Sequence, residues 1–243
     1  MTNQDFSLGF DLLWNNLMSN QAPGLNEYEK SLLLTKAQDE ILKNYFNPGG
    51  NKYGQGFDMS RKREIDFSKL IEVDSGDATL VASGNGVSSI TSFSYKLPDR
   101  LFFILNETVE VKKDGSSAAK ALIVIPISYT EYQRLMCKTF KAPYKWQCWR
   151  LMNKAETDSS TVELIPGYDY TSCKYTIKYV RYPKPIILGD LPDGLMIDGI
   201  STETECELSE EIHQEILQRA VEIAKVTWLG DASSVVEIGK RSE

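Results

Sequence analysis

Residues 101–127 read LFFILNETVEVKKDGSSAAKALIVIPI, and their pattern decides how the chain folds. Two runs rich in β-branched and aromatic residues, 101–112 and 120–128, flank the segment KKDGSS, whose Asp114-Gly115 is a strong hairpin signal. The reading is an antiparallel pair, 101–111 against 120–127. Downstream, the same character returns at 146–153, 161–166 and 173–182. The last run alternates cleanly: Tyr175, Ile177, Tyr179 and Arg181 fall on one face, Lys174, Thr176, Lys178 and Val180 on the other. Tyr182-Pro183-Lys184-Pro185 ends it, since proline cannot donate to a ladder. Upstream, 79–82 and 89–96 are further strand candidates, with Gly84-Asn85-Gly86 between them as a turn.

Helical periodicity frames this β region. Phe6, Phe10, Leu13 and Leu17 predict a short amphipathic helix over 5–18. Pro23-Gly24 stops it, and a stronger helix follows, with Asn26 as its cap and Glu29 as the capping-box partner. Its stripe is Leu33, Leu34, Ala37, Ile41, Leu42 and Tyr45. Ser60 is placed to cap a third helix over 61–72 that begins with Arg61, Lys62 and Arg63. Ser128 and Glu131 form a second capping box, opening a helix through 136 or 137. Ser209 caps a long C-terminal helix. Glu210 and Glu211 suit its first turn, Ile212, Ile216, Leu217, Ala220, Ile223, Ala224 and Trp228 form its stripe, and Gly230 is its stop. Residues 186–191 and 194–204 read as an irregular link.

The expected architecture is one α+β unit, an antiparallel β region flanked by N-terminal and C-terminal helices that pack together. It is helical over 1–72 and mainly β over 79–188, with a short helix at 128–137. A helix at 209–229 and a flexible tail at 231–243 complete it. The glycine-rich segment 47–59 (NPGGNKYGQGFDM) cannot be regular structure and suits a loop that orders on a partner.

Composition narrows function. The 243 residues include 27 Lys and Arg against 34 Asp and Glu, a net charge of −7, which disfavours general nucleic-acid binding. No apolar stretch approaches the about 20 residues a membrane helix needs. The opening residues lack a signal-peptide pattern, so neither membrane nor secreted classes are expected. Cys137, Cys148, Cys173 and Cys206 are widely spaced and read as reduced, mostly buried thiols. With a single histidine, His213, a zinc site is not expected; next to Glu210 and Glu211 that imidazole reads as exposed or at an interface. No G-x-S-x-G or phosphate-loop motif is present. No catalytic, cofactor-binding or metal residues are therefore assigned.

The richest polar-aromatic stretch is 139–150 (TFKAPYKWQCWR). Phe140, Tyr144, Trp146 and Trp149 interleaved with Lys141, Lys145 and Arg150 are the residue types of interface hot spots. The same set could stack on a single-stranded nucleic acid, or several rings could fill the core. Candidate assembly contacts are Tyr53 and Phe57 in the glycine-rich loop, Phe140, Tyr144, Trp146, Trp149 and Arg150, and Val235, Val236 and Ile238 in the tail. Two other readings stay open: an enzyme with an unrecognised site, using Cys137 or Cys148, and a nucleic-acid-binding module.

Five segments taken in order carry a resemblance: 10–46, 97–106 (LPDRLFFILN), 126–136 (PISYTEYQRLM), 179–188 (YVRYPKPIIL) and 206–225 (CELSEEIHQEILQRAVEIAK). They resemble a virion structural protein of crAss-like gut bacteriophages, of the ring or adaptor type found in the head-to-tail connector. The resemblance implies a ring of about twelve copies closed by heterologous contacts. It also implies docking on the portal and on neighbouring connector or tail proteins, with genomic DNA passing through unbound. The implied location is the neck or tail region of the virion, after synthesis in the host cytoplasm, with no cofactor and no membrane partner. Segments 47–59 and 72–85 and the end of the chain contribute nothing to it.

Overall fold

In the computed structural model, residues 1–18, 24–46, 67–81, 91–115, 118–136, 138, 143–154, 160–192 and 194–229 are described. Their strands are β1 (Ile71–Val81), β2 (Ser92–Lys96), β3 (Leu101–Lys112), β4 (Lys120–Pro126), β5 (Gln147–Lys154), β6 (Ser160–Pro166) and β7 (Ser172–Arg181). They close into a barrel in the order β1-β2-β6-β5-β4-β3-β7. Every neighbouring pair is antiparallel except β4 with β5. The hairpin expected at Asp114-Gly115 joins β3 to β4, with Val109 opposite Leu122 and Val111 opposite Lys120. Gly115 takes a left-handed φ of 73°, where a Cβ would be strained.

Period-two alternation explains what fills the barrel. Phe93, Tyr95, Leu97, Val109, Val111, Leu122, Cys148, Val162, Leu164, Cys173, Tyr175, Ile177 and Tyr179 form one buried cluster, drawn from strand after strand. The lumen is thus a packed core, as expected where a few strands enclose just enough space for their own side chains. On β7 the face of Tyr175, Ile177 and Tyr179 is buried, and Val180 of the other face is buried as well. Outside the barrel, α3 (Tyr129–Met136) is capped by Ser128, whose hydroxyl accepts from the Glu131 amide at 3.2 Å. This helix lays Tyr132 against Trp149, Leu151 and Ile165.

The helix expected through Glu72 is corrected where the chain is described. Ser68–Leu70 makes a single 3-10 turn, and Ile71 and Glu72 already pair with Val180 and Tyr179. The eight-residue ladder that β7 offers outweighs the helical preference of a short polar segment. Residues 61–66 lie outside the described residues, as do 47–59, the Gly84-Asn85-Gly86 turn and the tail 231–243.

The second body holds the remaining helices. By compactness the chain divides into Ile71–Tyr182, which is the barrel, and Met1–Leu70 with Pro183–Glu243. The latter contains α1 (Asn3–Met18), α2 (Glu27–Phe46) and α4 (Glu210–Leu229). The capping box at α2 is reciprocal: the Glu29 amide donates to Asn26 Oδ1 at 2.8 Å, and the Asn26 amide donates to Glu29 Oε2 at 2.9 Å. Phe6, Phe10 and Trp14 of α1, Leu34, Ile41 and Leu42 of α2, and Ile212, Ile216, Leu217 and Ala220 of α4 are all buried. Each large side chain contributes about 1.5–3 kcal/mol by leaving water. Two charge pairs tie the helices: Lys30 with Asp11 at 2.7 Å and Arg219 with Glu40 at 2.8 Å.

The link after Pro183 is irregular, as expected, and α2 explains how it is held. Ser31, Thr35 and Gln38 lie on one buried helix face at i, i+4 and i+7. Ser31 Oγ accepts from the Leu188 amide at 3.0 Å and Thr35 Oγ1 from the Ile186 amide at 3.1 Å, while Gln38 donates to Lys184 O at 2.9 Å. A polar stripe on a helix thus satisfies the backbone of a segment that has no ladder of its own.

Candidate assembly surfaces

Inside the barrel, tyrosine hydroxyls meet carboxylates carried on neighbouring strands. Tyr95 donates to Asp74 at 2.7 Å, Tyr175 to Glu107 at 2.6 Å and Tyr179 to Glu72 at 3.0 Å. Burial, then these carboxylates, raise all three phenols, Tyr179 to about 12. Gly76 on β1 makes room: a Cβ there would stand 3.1 Å from Tyr95 Cε2. Arg150 joins the network, its Nε 2.9 Å from Glu107 Oε2 with both side chains nearly buried. The N–H is not aimed at that oxygen, so the pair is held by charge more than by a directed hydrogen bond.

Little here suits nucleophilic chemistry. Burial pushes the Cys148 thiol well up, Cys173 to about 12 and Cys206 to about 11, the reverse of what an activated thiolate needs. Cys137 lies outside the described residues. Among the described residues no group of three His, Cys, Asp or Glu side chains is placed to hold a metal. His213 is corrected from exposed to buried, at 4% exposure. Its Nε2 lies 3.2 Å from Leu208 O and its ring centroid 5.3 Å from that of Phe6. Positions 213, 217, 220 and 224 share one helix face, so the imidazole extends the apolar stripe. Desolvation lowers its pKa. Trp228, read from sequence as part of that stripe, is 53% exposed.

The proposed contact residues separate into three groups. Tyr144 and Trp146 stand in the open, 68% and 53% exposed, in the turn before β5. Trp149 is buried beneath α3 with its ring edge-on to Tyr132, and Arg150 faces the lumen. Tyr53, Phe57, Phe140, Val235, Val236 and Ile238 lie outside the described residues. Strand alternation sends Trp149 and Arg150 to opposite faces of β5, and Trp146 precedes that strand in an exposed turn, which ends the single basic-aromatic surface that linear spacing suggested.

One surface went unread in the sequence. Lys113, Lys120 and Lys145, with Val111, Ala118, Tyr168 and Tyr170, line a hollow of about 400 Å³ on the barrel unit. The signal was present in the hairpin: pairing Val111 with Lys120 brings Lys113 and Lys120 together across the turn. Lys120 lies over the Trp146 ring, 4.1 Å from its centroid, and donates to Lys145 O at 2.5 Å. Lys113 lies 5.6 Å from the centroid of Tyr168. The Lys120 ammonium is lowered by desolvation, then by Lys145 and Lys113. Among the described residues none of these three lysines is in an ion pair with a carboxylate. The helical unit has exposed apolar positions of its own, Leu8 and Leu12, one turn apart on α1.

Comparison with known proteins gives this geometry a context. Residues 1–234 match the family described as phage tail ring protein 3/4. A curated relative, Ring protein 4/5 of Bacteroides phage crAss001, is 49% identical over 247 residues, covering all of both chains. A second, Ring protein 3 of the same phage, is 35% identical over 233 residues, covering 93% of this chain and 96% of its own length.

Proposed function

The chain belongs to the phage tail ring protein 3/4 family, a virion structural ring protein of crAss-like phages, and from that premise we propose that it is a ring subunit of the head-to-tail connector. In this reading about twelve copies close a ring by heterologous contacts. The ring docks on the portal or an adjacent ring in the neck of the particle, and DNA passes through it without specific binding. The chain is made in the host cytoplasm and works by contact, with no substrate turned over. Its higher identity to Ring protein 4/5 of crAss001 than to Ring protein 3 supports a role corresponding to that of Ring protein 4/5.

One observation carries this proposal: two proteins of a single phage, both named as ring proteins, each align with nearly the whole of this chain. The net charge of −7 is consistent with a channel that lets DNA slide, because phosphate is not strongly attracted. The test is imaging of purified virions, with this chain fitted into the neck density. The expected result is a closed ring of copies around the central channel, between portal and tail. Absence of the chain from finished particles, or its location only in peripheral fibres, overturns the proposal.

A further inference from the structure

The charge of the chain is divided unevenly. The barrel unit Ile71–Tyr182 carries 14 Lys and Arg against 12 Asp and Glu, a net +2. The helical unit, Met1–Leu70 with Pro183–Glu243, carries 13 against 22, a net −9. The basic side of this division concentrates in the hollow of Lys113, Lys120 and Lys145. On the acidic side, residues 203–211 hold five glutamates. Asn3 donates to Glu203 at 2.8 Å and the Lys184 amide donates to Glu207 at 2.9 Å, so those two are engaged within their own chain. Glu205, Glu210 and Glu211 are exposed, and among the described residues none of them is in an ion pair.

We infer that the hollow of Lys113, Lys120 and Lys145 receives Glu205, Glu210 and Glu211 of a neighbouring copy, and that this is a heterologous contact by which the ring closes. The inference rests on the ring reading above and adds the surfaces that meet. Its ground is charge complementarity between two different patches of one chain, the arrangement a head-to-tail ring needs. Three ammonium groups repel one another across the hollow, and carboxylates entering it relieve that repulsion. Tyr168, half exposed at the rim, adds a hydroxyl donor, and the Trp146 ring holds Lys120 in place. Three cations gathered in a recess suit inserted carboxylate side chains better than the convex backbone of duplex DNA.

The test uses charge reversal of the full chain, supplied to phage that lack their own copy, with the ring protein counted in purified particles. Lys113→Glu/Lys120→Glu/Lys145→Glu and Glu205→Lys/Glu210→Lys/Glu211→Lys are each expected to lower incorporation at least tenfold. The chain carrying all six changes regains it, because every interface is again complementary. The corresponding lysine-to-glutamine and glutamate-to-glutamine variants, checked for native thermal unfolding, are expected to fall between, and they separate lost contact from lost folding. Normal incorporation of either folded reversal variant overturns the contact and leaves the ring reading standing. Failure of the six-fold variant to recover also overturns it, and loss confined to the lysine variants points to DNA or another protein in the hollow. If the unaltered chain is itself absent from particles, the ring reading falls and the contact with it.

Discussion

Glu107 and Arg150 offer a sharp test of how the barrel is held. Their side chains are 13% and 11% exposed, and Tyr175, fully buried, donates to the same carboxylate at 2.6 Å. Arg150→Met removes the cation and leaves Glu107 charged in a nearly dry site. Breaking one side of a buried pair costs about 3–5 kcal/mol. Because the guanidinium N–H is poorly aimed at Glu107, the low end applies, about 3 kcal/mol. Glu107→Leu leaves Arg150 alone and also strands the Tyr175 hydroxyl, so it costs at least as much. The double variant Glu107→Leu/Arg150→Met buries no unpaired charge and recovers the charge part of the loss, leaving about 1–3 kcal/mol for the stranded Tyr175 hydroxyl, so it is less destabilised than the sum of the single variants. Urea unfolding followed by tyrosine and tryptophan fluorescence reads this directly. With a slope of about 1–3 kcal/mol per molar urea, each single variant should lower the midpoint by about 1 M or more. A loss below about 1 kcal/mol for Arg150→Met, or strictly additive effects in the double variant, would refute the reasoning.

Other outcomes follow from neighbouring features. Trp149→Ala should destabilise by about 3–5 kcal/mol, as loss of a packed ring beneath α3. Trp146→Ala, at an exposed ring, should stay within about 0.5 kcal/mol of the parent while lowering incorporation into virions. Gly76→Ala places a methyl 3.1 Å from Tyr95 and should cost about 1–3 kcal/mol in thermal unfolding, less in a Tyr95→Leu background. His213 is buried with its pKa below the ordinary 6.5, so the unfolded chain takes up a proton first as pH falls. Its contribution is present above pH 6.5 and is lost as pH drops through the lower folded-state value. Against His213→Gln, the parent should therefore lose melting temperature more steeply between pH 7 and pH 5, and parallel curves would count against a neutral buried imidazole.

Local signals carried much of the fold. Asn26 with Glu29, Ser128 with Glu131 and Asp114 with Gly115 act over three residues or fewer, and each forms as its chemistry dictates. β7 was readable because one face is apolar or aromatic and the other polar. β1 was readable only at its end, within 79–82, and the physical reason is specific. Its inward positions are Asp74, Gly76 and Ala78, small or polar residues that accommodate Tyr95 and the inner cluster, while Val73 and Leu80 face solvent. These inward positions carry no large apolar side chain and the exposed apolar residues follow no single phase, so hydrophobic alternation gives no signal there. Closure into a barrel, and the parallel pairing of β4 with β5, depend on partners far apart in sequence. Arg150 and His213 were misplaced for a related reason: polar types were taken as outward, but one has a carboxylate waiting in the lumen and the other a backbone carbonyl in the helical unit. The lysine hollow joins a hairpin to a turn of β5 and to the β6–β7 connection, and only the hairpin part was within reach of spacing.

Among the described residues each strand has a bonded neighbour on both flanks, so the barrel's described strands offer no free edge strand on which another copy could pair. Strand exchange and fibril growth, which begin at unpaired strand edges, are thereby disfavoured for the described barrel. Contacts between copies then fall to side chains and connecting segments, whose geometry is more specific than that of a shared backbone ladder.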